Sequence, residues 1–172
     1  MKGGASLLEV EQIVKATKEI YGETSNIYVG YGRTKLVSFS YGDPLTEEEI
    51  ERFEEKTKWV VPAAFRNFLR LHNGAVLFDD PEYGGGPEIL SLDNIVLMNQ
   101  FYKLGLRSWY PIVDLHVSVI LIDSERVKAG RDDYLIWMWK TGAIEDAQYL
   151  NVEFTVWLDR FIVTHGEDFW LW

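Results

Sequence analysis

Between Pro44 and Gly74 the apolar positions fall into a helical rhythm, and the ends of two short helices are marked by the residues around them. Ile50 and Phe53 make one thin apolar stripe, while Glu47, Glu48, Glu51, Glu54 and Glu55 stay on the wet side. Thr46 stands where a side-chain oxygen reaches the unpaired backbone donors of a first turn. Glu49, three residues on, reaches back, so the spacing predicts a capping box. Pro62 opens the second helix, where its missing N–H costs nothing. Phe65, Phe68, Leu69 and His72 recur along a core-facing stripe, and Asn73-Gly74 ends it with residues that tolerate left-handed backbone angles.

The same reading extends along the chain. Leu7, Leu8, Ile13, Val14 and Ile20 predict an N-terminal helix ending near Gly22, with Lys15 and Lys18 toward its C-terminal end. Residues 27–31 and 35–41 alternate around Gly32 and predict a hairpin. Ala75 to Phe78 reads as a short strand, Asp79 to Glu88 as a long loop, and Asp93 to Leu104 as a helix. Ile112 to Ile122 and Tyr134 to Trp139 are rich in β-branched and aromatic residues, and Asp123 to Asp133 joins them with Gly130 as a turn residue. Trp137 and Trp139 alternate and so share a sheet face. Trp157 belongs to a closing helical stripe with Phe154, Leu158, Phe161 and Ile162, interrupted at Gly166. With no internal repeat and no linker, the expectation is an α+β single domain, a mainly antiparallel sheet with packed helices.

Composition adds bounds. At 172 residues, 47% hydrophobic and 15% aromatic, the chain has ample material for one core. No apolar run approaches the roughly 20 residues of a membrane span, and the opening Met-Lys-Gly-Gly-Ala-Ser lacks a secretory stretch. The absence of cysteine excludes disulfides and thiolate metal sites. A cytoplasmic location is the expectation. The net charge of −10 bears on partners, because residues 43–93 hold 12 acidic and 5 basic side chains, a local surplus of seven. Such a field repels phosphate backbones and steers a basic protein into encounter. The plain alternative is that glutamates on helix surfaces confer solubility.

Catalytic patterns are thin. His72 completes a helical face and His165 sits in a last helical turn, where positive charge complements the macrodipole. Asp114 and His116, two apart in a strand, would share one face, but no third ligand stands at diagnostic spacing. The loop residues Asp79, Asp80 and Glu82 do not match calcium-loop spacing, and Gly84-Gly85-Gly86 lacks the residues of a phosphate cradle. No metal and no cofactor is therefore expected. Asp79, Asp80, Glu82, Tyr83 and Glu88 form the candidate contact surface for a basic partner. Trp170 and Trp172 form a second candidate, an aromatic tail that serves either the core or an interface.

The order of these motifs resembles the SUKH superfamily: an acidic capped helix, an apolar link with Pro62, an aromatic helix and Asn73-Gly74. Ser91 to Asn94 is similar to the family's linker, Trp109-Tyr110-Pro111-Ile112 to its Trp-x-Pro-Ile strand start, and Phe154 to Trp172 to its final helix and aromatic tail. The resemblance covers Pro44 to Trp172 and leaves residues 1–43 as an N-terminal addition of helix plus hairpin. It implies a non-catalytic protein-binding domain, chiefly an immunity protein that neutralises a cognate polymorphic toxin, often a nuclease. The alternative it carries is a regulatory module related to cell-wall synthesis regulators. A third class, ranked below both, is a hydrolase built on paired carboxylates, whose required separation in a cleft no spacing in this sequence supplies.

Overall fold

The computed structural model describes residues 3–102 and 108–171, with side chains from Glu9 onward. Eight strands run as an antiparallel meander in chain order: β1 (Thr24–Tyr28), β2 (Thr34–Tyr41), β3 (Ala75–Asp79), β4 (Glu88–Ile89), β5 (Trp109–Asp114), β6 (Ser118–Asp123), β7 (Leu135–Trp139) and β8 (Gln148–Tyr149). Six α-helices accompany them: α1 (Gly3–Tyr21), α2 (Glu47–Thr57), α3 (Ala63–Leu71), α4 (Leu92–Tyr102), α5 (Ser124–Lys128) and α6 (Phe154–Val163). The arrangement is α+β, as the sequence predicts. Leu104 of the expected fourth helix lies outside the described residues.

The helix pair forms for the reasons its residues give. Thr46 Oγ1 accepts from Glu49 N at 3.3 Å and Glu49 Oε2 accepts from Thr46 N at 2.8 Å, which completes the capping box. Pro62 is the N-cap rather than the first helical residue, and Ala63–Leu71 buries Ala64, Phe65, Phe68 and Leu69. His72 has left the helix with φ −152°, so it belongs to the turn and not to the helical stripe. The connection after β6 contains a helix, α5, because the Asp123 side chain accepts from Glu125 N and Arg126 N and nucleates it.

Strand register divides the sheet into two faces. Tyr41, Ala75, Ile89, Val113, Ile120 and Trp137 are successive cross-strand partners on one face, and Ser40, Val76, Glu88, Asp114, Val119 and Met138 on the other. The first face meets Val10 and Val14 of α1, Phe65 and Phe68 of α3, and Phe154, Trp157 and Phe161 of α6 in the main core. At the β5–β7 end the second face is covered as well. There Trp109, Val119, Leu121, Ile136 and Met138 pack with Tyr102, Ile144, Ala147 and Tyr149. Strands buried on both sides read as unbroken apolar runs, which is why Val119 to Ile122 shows no alternation.

Two bulges set the geometry of this sheet. Phe78, at φ +52°, lies where β3 shifts register against β2, so Leu77 and Phe78 both enter the main core. Pro111 sits beside the shift between β5 and β6, a place in a central strand that tolerates its missing N–H. Thr46→Ala removes the acceptor for Glu49 N and is expected to cost about 1 kcal/mol in urea unfolding at unchanged slope. Gly86→Ala should cost more than Thr46→Ala in the same measurement, because a Cβ there would lie 2.6 Å from Asp79 Cα and 2.9 Å from Leu77 O.

Candidate partner-binding site

The acidic loop is held by its own carboxylates. Asp79 Oδ1 accepts from Gly86 N at 2.7 Å, and Leu77 N donates to Pro87 O, which draws the loop's return limb against β3. Asp80 Oδ1 accepts from Glu82 N and Tyr83 N, and its Oδ2 lies 3.7 Å from Lys35 Nζ. Those backbone donors, and then Lys35, hold the Asp80 carboxyl below its ordinary range. Two of the three loop acids thus shape the loop, while Glu82 and Tyr83 project into solvent, Tyr83 at 80% exposure.

The other candidates are placed differently. Glu88 lies in β4, half-buried, and its Oε1 accepts from Asn94 Nδ2 at 2.9 Å. Trp170 sits half-buried in a 3-10 turn, Phe169–Leu171, with its ring 6.4 Å from Trp157 and its face to the main core. Trp172 lies outside the described residues. Trp137 and Trp139 share a face as expected, their rings 4.7 Å apart.

The histidines have local duties. His165 lies beyond α6 at φ +56°, not in its last turn, and its Nδ1 is 3.1 Å from Tyr28 O. His116 occupies the β5–β6 turn at φ +70°, where its N–H donates to Asp114 Oδ1, and Asp114 also takes Lys140 at 2.6 Å. Those two therefore form no acid-base pair across a strand face. Among the described residues no group of three or more His, Asp or Glu side chains is placed to hold a metal ion.

His72 caps α3 instead of lying on its helical stripe, and its side chain joins three elements. Its Nδ1 faces Gly42 O at 2.9 Å and its Nε2 faces Lys18 Nζ at 2.7 Å, while Lys18 lies over the Tyr41 ring at 4.5 Å. The ammonium can only donate, so Nε2 accepts, and Nδ1–H donates to the carbonyl. Burial, with the Lys18 charge, lowers the His72 pKa, although the Gly42 carbonyl opposes the shift. Burial also pushes Tyr41 up to about 12. No spacing rule reveals this cluster, because Lys18, Tyr41 and His72 come from α1, β2 and the end of α3.

With the sheet, the capped helix pair and the acidic loop in place, sequence comparison decides the family. Residues 44–160 match the SMI1/KNR4 family (SUKH-1). The chain belongs to this family. It is 33% identical over 146 residues to the uncharacterized protein YobM of Bacillus subtilis (strain 168), covering 80% of this chain and 75% of that one. It is 30% identical over 134 residues to the uncharacterized protein YnaB of the same organism, covering 77% and 87%. The family match begins just after β2, yet α1 packs on α3, and β2 pairs with β3, so the preceding segment is continuous with the sheet and its helix layer. No helix among the described residues is long and apolar enough to cross a membrane.

His72 gives the fold a pH dependence of defined sign. Its folded pKa lies below the ordinary value, so the unfolded chain binds more protons between the two, and stability falls as pH drops through that window from about 6.5. Below the folded value the loss levels off. Urea unfolding at stepped pH should show this slope in the native chain and lose it in His72→Gln.

Proposed function

We propose that this chain is an immunity protein, which binds a basic cognate toxin one-to-one and blocks it without doing chemistry itself. Membership in the SMI1/KNR4 family carries the reading. Family membership alone does not fix a partner, and the charge distribution supports a basic one. A nuclease must attract phosphate, so its active site is basic, and an acidic protein competes for the same field.

Local structure narrows where the field is available. Glu47 and Glu54 both pair with Arg66, Glu49 is spent on the capping box, and Asp79 and Asp80 serve the loop. Glu48, Glu51, Glu55 and Glu82 remain exposed and form no ion pair among the described residues. Residues 1–43 are read as an N-terminal addition that widens the sheet by a hairpin.

The test is co-expression with the product of the adjacent upstream gene in bacterial cells. Growth arrest by that product alone, relief by this chain and a stable one-to-one complex on gel filtration are expected. An inert neighbour that forms no complex would overturn the reading and favour the regulatory module. At raised salt the association rate should fall by tenfold or more on the order expected for steered encounter, read by stopped flow.

A further inference from the structure

Among the described residues the second face of the sheet is covered at one end and bare at the other. At the β1–β3 end it presents Tyr28, Leu36, Ser40 and Val76, with Tyr28 58% and Leu36 48% exposed. Where this face meets the start of α4 lies a cavity of about 240 Å³, lined by Ser40, Val76, Glu88, Ser91 and Asn94 among others. Pockets for small organic ligands run about 300–1,000 Å³, so this one is on the scale of a single side chain.

Its walls are fixed by main-chain packing. Gly42 N donates to Gly74 O, and a Cβ on Gly74 would lie 2.9 Å from both Ile89 O and Ser91 N. Asn73 Oδ1 accepts from Leu92 N, and Ser91 Oγ accepts from Asn94 N. Asn94 in turn donates to Glu88 Oε1, which leaves Glu88 Oε2 without a hydrogen bond and the carboxylate without a cation among the described residues. Asp114, its cross-strand neighbour, is already paired with Lys140. The cavity therefore offers one carboxylate with an open oxygen, small hydroxyl neighbours and a partly apolar floor at Val76.

We propose that this pocket receives one arginine side chain of a basic protein partner, which docks on the bare sheet face around it. The proposal rests on the binding reading above and assigns its anchor. Charge complementarity selects the occupant, because a planar guanidinium matches a carboxylate, its methylene stem suits Val76, and a buried arginine at the centre of an interface is a common energetic anchor. Tyr28 and Leu36 supply apolar area to the same face. The unpaired Glu82 and Asp93 stand nearby in sequence, on the loop before β4 and in the first turn of α4.

The probe is N-acetyl-arginine methylamide, titrated into the ¹⁵N-labelled full chain and followed by amide chemical shifts. Ser40, Val76, Glu88 and Asn94 should shift together and saturate. The neutral citrulline analogue should leave them unmoved, and Glu88→Gln should weaken binding about tenfold, since it keeps the Asn94 contact and loses only the charge. Shifts scattered over the α2 glutamates, or equal shifts in Glu88→Gln with an unchanged melting temperature, would overturn the pocket. With the upstream gene's product, a complex that forms equally well with Glu88→Gln overturns the pocket and leaves the binding reading standing. If the native chain forms no such complex the binding reading fails, and the arginine titration still decides the pocket.

Discussion

The β6 strand, from Ser118 to Asp123, is buried at every residue, and the rest of the molecule is arranged to make that burial tolerable. A strand exposes side chains on both faces, so a strand with no polar side needs cladding above and below. α1, α3 and α6 supply one layer through Val10, Val14, Phe65, Phe154, Trp157 and Phe161. The segment after β7, with Ile144 and Tyr149, supplies the other together with Tyr102. Each fully buried aromatic contributes about 1.5–3 kcal/mol, and these two layers therefore fix which strands sit in the middle of the meander. The outer strands are free to carry Thr24, Asn26 and Ser40 because nothing has to cover them.

This division explains what could be read from the residues. The α2–α3 pair was legible to its caps, because Thr46, Glu49 and Pro62 act within one turn of the helices they start. The N-terminal helix, the second hairpin strand and the fold class were legible from period, whereas the first strand runs Thr24–Tyr28 and not 27–31, because Gly30 to Gly32 form the turn at positive φ. The Ile112–Ile122 stretch concealed a hairpin, since polar and apolar residues keep alternating from Asp114 to Ser118 and the turn reads as more strand. Its turn is made by Leu115, His116 and Val117, and His116 adopts a left-handed angle that no glycine or proline marks in the sequence. The bulge at Phe78 was equally hidden, because it depends on how β2 and β3 align and on no local motif.

The candidate contact surface was legible in part and for a similar reason. Charge and glycine content marked residues 79–88, but counting acids says nothing about which are occupied. Asp79 and Asp80 accept main-chain N–H groups within the loop, a use of carboxylates that competes with any outward role. Arg66 similarly absorbs Glu47 and Glu54 between α2 and α3. These carboxylates keep their charge, so the surplus of seven stands, but the acids that face solvent freely are fewer: Glu48, Glu51 and Glu55 on one helix surface, Glu82 on the loop tip, and Asp43 and Asp93.

On the proposed binding role, affinity and encounter would draw on different residues. Exposed glutamates are screened over about 8–10 Å at ordinary salt and act on the rate at which partners meet. Glu88 differs from them, because it is half-buried, held by Asn94 and set in a cavity whose walls are backbone. A cation docked there would be held between walls that keep it from solvent, so its pairing would be screened less than at Glu48 or Glu82. On the proposed docking, the face that the described residues leave open at its β1–β3 end would have, at Glu88 on its margin, one point where complementary charge counts toward holding a partner and not only toward attracting it.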